Sequence, residues 1–209
     1  MKKTKPFVIT ISRQLGSGGS FIGQQLAKNL DVFYADREII IKAAEQLSVL
    51  EEDLESRDEK ILSFWQSFVY TTAFAPDVYL PPETMLPTDR ELYDTETKII
   101  KHIADERSSV IMGRCGFNIL REYSNRISIF LHADNTFRNE RIQKLYNVSK
   151  EEADKMIAQS DEERALYCKT FTGHNWNDAR LYDLSVDTGK IGIDKTVELI
   201  LNYLKLVYS

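Results

Sequence analysis

Short apolar runs alternate with longer stretches of helical periodicity along this chain. The runs cover residues 7–11, 32–34, 110–112, 127–131 and 184–186, each of strand length. Between and after them, apolar positions recur every three or four residues over 21–30, 37–47, 91–104, 136–145, 150–167 and 193–204. Strands separated by such helices predict an α/β fold with a parallel sheet, because parallel neighbours need a crossover connection. Asp134 and Ser149 stand at N-cap positions of two of the helices, and Glu152 completes a capping-box pattern after Ser149.

Residues 50–90 break the alternation. Glu51, Glu52 and Asp53 lead into the aromatic Phe64, Trp65, Phe68 and Tyr70, and a proline-containing stretch over 75–87 follows. The segment reads as an insertion between strands, either a mobile substrate cover or an aromatic face packed on the core or on a second copy in a homodimer.

Composition narrows the class. With 209 residues, 43% hydrophobic and 28% charged, the chain suits one soluble domain spanning 1–209. A net charge of −5 argues against nucleic acid as a partner bound through broad phosphate neutralisation, so any phosphate site must be local. No apolar run reaches membrane-spanning length, and the basic start lacks a signal peptide's cleavage region. Cys115 and Cys168 have no C-x-x-C spacing, which leaves a disulfide unsupported and suits a reducing compartment; a cytoplasmic location is expected.

Four clusters carry candidate chemistry. The first follows the first strand, where Arg13-Gln14-Leu15-Gly16-Ser17-Gly18-Gly19-Ser20 opens a helix. Backbone N–H groups at such a start cradle phosphate, although a glycine-rich turn can also serve only as a connection. Against G-x-x-x-x-G-K-[ST], Gly18 and Ser20 match, but Arg13 stands at the first glycine and Gly19 at the lysine. Ser20 is positioned to face Mg²⁺. Arg13, leaving the strand just before the loop, is a candidate to replace the lysine, since a guanidinium clamps phosphate oxygens in bidentate fashion.

The second cluster is Asp36-Arg37-Glu38 after the second strand, where Asp36 is either a helix cap or a ligand-binding residue. The third is Gly113-Arg114-Cys115-Gly116, again between strand and helix. Ligands of open α/β sheets gather at the carboxyl ends of strands, so Asp36, Arg37 and Arg114 converge on the crevice of the glycine loop. The fourth comprises Arg138 and Arg141, at i and i+3, and Arg164 after Asp161. These arginines either solvate helix faces or supply the positive charge that phosphoryl transfer requires. His102, His132 and His174 are scattered without zinc-site spacing, and no G-x-S-x-G elbow supports acyl transfer.

The order of these pieces resembles the cytidylate-kinase-like proteins, relatives of the nucleoside monophosphate kinases. The resemblance rests on residues 9–14 with Gly16 to Gly19, Tyr34-Ala35-Asp36-Arg37-Glu38, Val110 to Arg114, residues 129–131 before Arg138 to Arg141, Asp161 to Arg164 with Tyr167, and Tyr182-Asp183-Leu184 before residues 191–193. It implies a P-loop kinase fold: a parallel five-stranded sheet flanked by helices, a helical acceptor-side insertion at about 50–90, and an arginine-bearing lid at about 138–168. It further implies ATP and Mg²⁺ at Gly16, Ser17, Gly18, Gly19 and Ser20, an acceptor nucleotide at Asp36, Arg37 and Arg114, and lid roles for Arg138, Arg141 and Arg164. Where those kinases carry an aspartate that contacts the acceptor, this chain has Cys115. The expected activity is ATP-dependent phosphorylation of a nucleoside monophosphate, CMP or dCMP foremost. The alternatives are a phosphate- or nucleotide-binding protein without catalysis and a kinase of a non-nucleotide small molecule.

Overall fold

The computed structural model describes residues 6–36 and 90–208. The helical pattern at 37–47, Arg37 and nearly all of the insertion, with its aromatic residues, lie outside the described residues. In chain order the elements are β1 (Val8–Arg13), α1 (Gly19–Leu30), β2 (Phe33–Ala35), α2 (Arg90–Glu106), β3 (Ser109–Met112), α3 (Gly116–Ile119), β4 (Arg126–His132), α4 (Asn135–Tyr146) and α5 (Lys150–Thr172). A 3₁₀ turn (Ala179–Leu181), β5 (Leu184–Asp187), α6 (Thr188–Ile191) and α7 (Ile193–Val207) follow. The five strands form one sheet in the order β2-β3-β1-β4-β5. Every neighbouring pair is parallel.

Burial on both faces explains why the strands read as unbroken apolar runs. On one face Ile9, Ile11, Ile129 and Leu131 pack with Ile22 and Leu26 of α1 and Val197 and Ile200 of α7. On the other, Val8 and Ile111 pack with Ile99, Ile100 and Ile103 of α2 and with Leu120. Each isoleucine buried in this way contributes roughly 1.5–3 kcal/mol relative to exposure.

Both anticipated caps are present. The Asp134 carboxylate accepts from the Phe137 N–H at 2.9 Å, and the Ser149 hydroxyl oxygen accepts from the Glu152 N–H at 3.1 Å. Helix α5 runs five residues beyond the stop predicted at Tyr167 and ends at Gly173, which has φ 73°. Phe171 explains the extension: it stacks on Tyr93 with ring centres 4.4 Å apart, so the helix keeps an apolar contact through a locally polar sequence.

The chain places β2 and β3 on one side of β1, then crosses to place β4 and β5 on the other. Such a reversal opens a crevice at the carboxyl ends of the strands, where β1 meets the glycine loop and β3 meets the Gly113 turn.

Candidate functional site

At the end of β1 the backbone turns sharply. The Ser17 N–H and hydroxyl both donate to the Gln14 carbonyl, at 3.3 and 2.8 Å, and the Thr188 hydroxyl donates to the Ser17 carbonyl at 2.8 Å. Ser17 is therefore buried with its hydroxyl turned into the loop, while Gly16, Gly18, Gly19 and Ser20 line an open cleft. Gly18 is the N-cap of α1 with φ 79°, and no side chain caps this helix start. The first-turn N–H groups and the helix dipole thus make the cleft floor attractive to an anion.

The cleft is shallow and open to solvent. Arg13, Arg141 and Arg164 line it together with Ile142, Leu145 and Tyr146, and among the described residues no acidic side chain joins the lining. In a chain of net charge −5, this is a concentrated local cationic field.

Arg13 crosses the centre of the site. A Cβ on Gly19 would sit 2.6 Å from the Arg13 Cγ and 2.7 Å from its Cβ, closer than side chains approach. A Cβ on Gly113 would collide with the Arg13 Nη1. The arginine stem therefore occupies space that any side chain at position 19 would claim, and its guanidinium reaches the turn after β3. Glycines at 19 and 113 are what admit it.

The remaining arginines divide by partner. Arg138 is buried, and its Nη1 donates to the Asp161 carboxylate at 2.6 Å and to the Leu15 carbonyl at 3.3 Å. Its Nη2 donates to Asn135 at 2.5 Å, and Asp161 also accepts from the Leu15 N–H at 3.3 Å. Arg138 with Asp161 thus grips the glycine loop from behind instead of standing in the cleft. Arg164 lines the cleft while its Nη1 donates to the Arg13 carbonyl at 3.2 Å, and Arg141 forms no ion pair among the described residues.

The third cluster forms a strained turn. Gly113, Arg114 and Cys115 have successive φ values of 72°, 50° and 53°, and the Gly116 N–H closes the turn on the Gly113 carbonyl at 2.9 Å. A left-handed conformation costs a non-glycine residue on the order of 1 kcal/mol, and such strain concentrates at functional sites. Arg114 is buried, with its Nη2 2.9 Å from Glu96 and its guanidinium carbon 5.1 Å from the Tyr167 ring centre. Asp36 follows Ala35, which pairs in register with Ile111, and so lies at the same carboxyl edge of the sheet. Residues from the first, third and fourth clusters therefore meet around Arg13.

Cys115 and Cys168, distant in sequence, share one apolar cluster with Phe117, Phe130, Trp176 and Tyr182. Both are free thiols. The neighbouring Cys168 thiol, reinforced by burial, raises the pKa of Cys115, and the Cys115 thiol lowers that of Cys168. Burial raises the pKa of the Tyr167 phenol well above the ordinary tyrosine value, so it stays a donor at neutral pH.

Sequence reasoning passed over Glu96, Asp161 and Thr188 as functional candidates. Glu96 did carry a signal: it interrupts the inward stripe of α2 formed by Tyr93, Ile99, Ile100 and Ile103, where an acid needs a buried partner. Asp161 and Thr188 act through loop carbonyls and N–H groups across more than a hundred residues, which no local pattern encodes.

Among the described residues, no group of three or more His, Cys, Asp or Glu is placed to hold a metal. Ser20 lines the cleft, and a single hydroxyl there is compatible with Mg²⁺ bound together with a nucleotide, which draws most of its ligands from phosphate and water.

Comparisons with known proteins agree with this geometry. Cytidylate kinase from Saccharolobus islandicus strain Y.G.57.14 is 30% identical over 112 residues, which is 54% of this chain and 59% of the relative, so the match spans little more than half of either protein. An uncharacterized protein from Eubacterium ventriosum superposes with a TM-score of 0.72 at 22% identity, over 95% of this chain and 98% of its own. Shikimate kinase from Bacteroides thetaiotaomicron superposes with a TM-score of 0.51 at 12% identity, with the same coverage. These two likenesses concern the fold, which is the P-loop kinase fold with its parallel five-stranded sheet. The model of the cytidylate kinase-like family matches residues 8–190, nearly the whole of the described chain, and this protein belongs to that family.

Proposed function

We propose that this chain transfers the γ-phosphoryl group of ATP to a nucleoside monophosphate, CMP or dCMP foremost, as a single cytoplasmic domain. The observation that supports the reading is the path of Arg13, which runs from the glycine loop at Gly19 to the turn at Gly113, the two turns that this reading assigns to donor and acceptor.

In this mechanism the N–H groups of Gly16, Gly18, Gly19 and Ser20 hold the β- and γ-phosphates of ATP, aided by the dipole of α1, while Ser17 keeps the loop closed on Gln14. Ser20 would hold Mg²⁺ through its hydroxyl, and the ion would supply neutralising charge to the phosphate oxygens. Arg13 takes the part of the lysine absent at position 19. Arg141 and Arg164, from the lid at about 138–168, add charge around the migrating group, and Arg138 fixes the loop that binds it. Arg114, Arg37 and Asp36 address the acceptor. An oxygen of the acceptor phosphate attacks the γ-phosphorus in line, the bond to the β–γ bridging oxygen breaks, and ADP leaves. No general base is required, because the acceptor phosphate is already a nucleophile.

A second reading, transfer to a hydroxyl of a non-nucleotide molecule, draws on Cys115. Its thiol is buried in an apolar cluster with Cys168 and carries no charge, so it cannot serve a cytosine ring as a carboxylate would. Coupled detection of ADP separates the readings. With Mg²⁺-ATP and a panel of CMP, dCMP, UMP, AMP and GMP, release is expected with CMP or dCMP. Release only with a hydroxylated metabolite would replace the acceptor assignment, and ATP binding without turnover on any acceptor would leave a binding protein.

A further inference from the structure

The Gly113–Gly116 turn and α2 meet at an arrangement that packing does not require. Glu96 is 1% exposed, yet it sits on the apolar stripe of α2. Its Oε1 lies 2.9 Å from the Arg114 Nη2, and its Oε2 accepts from the Tyr167 hydroxyl at 2.8 Å. The Tyr167 ring covers the face of the same guanidinium. A buried ion pair of this kind adds little stability over well-packed apolar side chains, and the turn carrying Arg114 is strained. The group is therefore better explained by what it orients than by what it stabilises.

We infer that Glu96 and Tyr167 are positioning residues that fix the Arg114 guanidinium for an anionic acceptor at the carboxyl end of β3. The inference rests on the acceptor-side reading of Arg114 given above. Glu96 takes one end of the guanidinium and Tyr167 one face, while the buried Nε has no hydrogen-bond partner among the described residues. A guanidinium presents its donors as a rigid fork, so holding one edge and one face determines where the other donors point. Tyr167 also connects this fork to the donor side. It lies on α5 one turn beyond Arg164, which bonds the Arg13 carbonyl, and two turns beyond Asp161, which bonds the Leu15 N–H. One helix thereby holds both the phosphate loop and the acceptor arginine.

Calorimetry of the full chain, with CMP and separately with a Mg²⁺-bound non-hydrolysable ATP analogue, tests this without needing turnover. Glu96→Gln keeps the size of the side chain but removes the charge that holds Arg114, and it should weaken CMP about tenfold while leaving the ATP analogue within about twofold. Tyr167→Phe keeps the ring and removes the hydroxyl, and it should weaken CMP selectively by a smaller factor. If Glu96→Gln does not fold, Tyr167→Phe decides. Unchanged CMP affinity, or equal weakening of both ligands, overturns the inference, because a purely structural pair would act on neither site or on both. CMP binding that depends on Glu96 in a protein without turnover would keep the inference and remove the kinase reading. Turnover on CMP with Glu96-independent affinity would do the reverse, and a wild-type protein that binds no CMP would contradict both.

Discussion

Arg13→Ala lowers Mg²⁺-ATP turnover by about 10²–10³-fold, the usual consequence of removing one preorganised group that faces developing charge. The arginine stem fills the space beside Gly19 and its guanidinium reaches Gly113, so its loss removes the cation that the proposed mechanism sets between donor and acceptor. The fold should survive. The main chain at residue 13 is held by pairing with Leu131 and by the Arg164 bond to its carbonyl, neither of which uses the Arg13 side chain. Arg13→Lys should recover part of the rate, since an ammonium supplies charge without a bidentate clamp. Steady-state kinetics with circular dichroism check this, and full turnover in folded Arg13→Ala would remove Arg13 from the mechanism.

Arg138→Ala has the larger effect on stability. Its guanidinium joins Asp161, the Leu15 carbonyl and Asn135, and only 4% of the residue is exposed. Removing one partner of a buried pair costs about 3–5 kcal/mol, and the lower figure applies because the Asp161 side chain keeps 20% exposure. For a chain of this size a loss of about 3 kcal/mol lowers the melting temperature by roughly 6–12 °C. The KM for ATP should rise as well, because Leu15 and Gly16 lose the support behind them. Arg138→Lys should not restore either property, since one ammonium cannot reproduce a fork that reaches three acceptors. Urea unfolding and ATP kinetics measure both, and a change below about 1 kcal/mol would show that the loop is held elsewhere.

The parts of the fold legible in the sequence were those with local causes. Strands buried on both faces declare themselves as apolar runs, and Asp134 and Ser149 mark helix starts with their own side chains. Strand order was not legible, because periodicity says which face a residue takes and nothing about the neighbouring strand. The candidate site divides in the same way. The glycine loop followed from Gly16 to Ser20, and the placement of Arg13 followed from its position at the strand end. Arg138 was legible as a charge but not as a brace: its partners are 23 residues away at Asp161 and 123 away at Leu15. The thiol contact between Cys115 and Cys168 was hidden likewise, because α5 and the Gly113 turn meet only in the folded chain.

In the proposed mechanism Arg13 does the work of a loop lysine, and the glycine at 19 leaves room for it. Combining Arg13→Gly with Gly19→Lys rewrites residues 13–20 as G-x-x-x-x-G-K-S, the ordinary phosphate-loop pattern. Gly19→Lys alone forces a Cβ to within 2.6 Å of the Arg13 Cγ, and Arg13→Gly alone removes the cation. The measurement is Mg²⁺-ATP turnover on the preferred acceptor for both single variants and the pair. Each single variant should fall about 100-fold or more, and the double variant should recover most of the loss if Arg13 stands in for the lysine. A double variant no better than the worse single one, or an Arg13→Gly enzyme as fast as the parent, would contradict it.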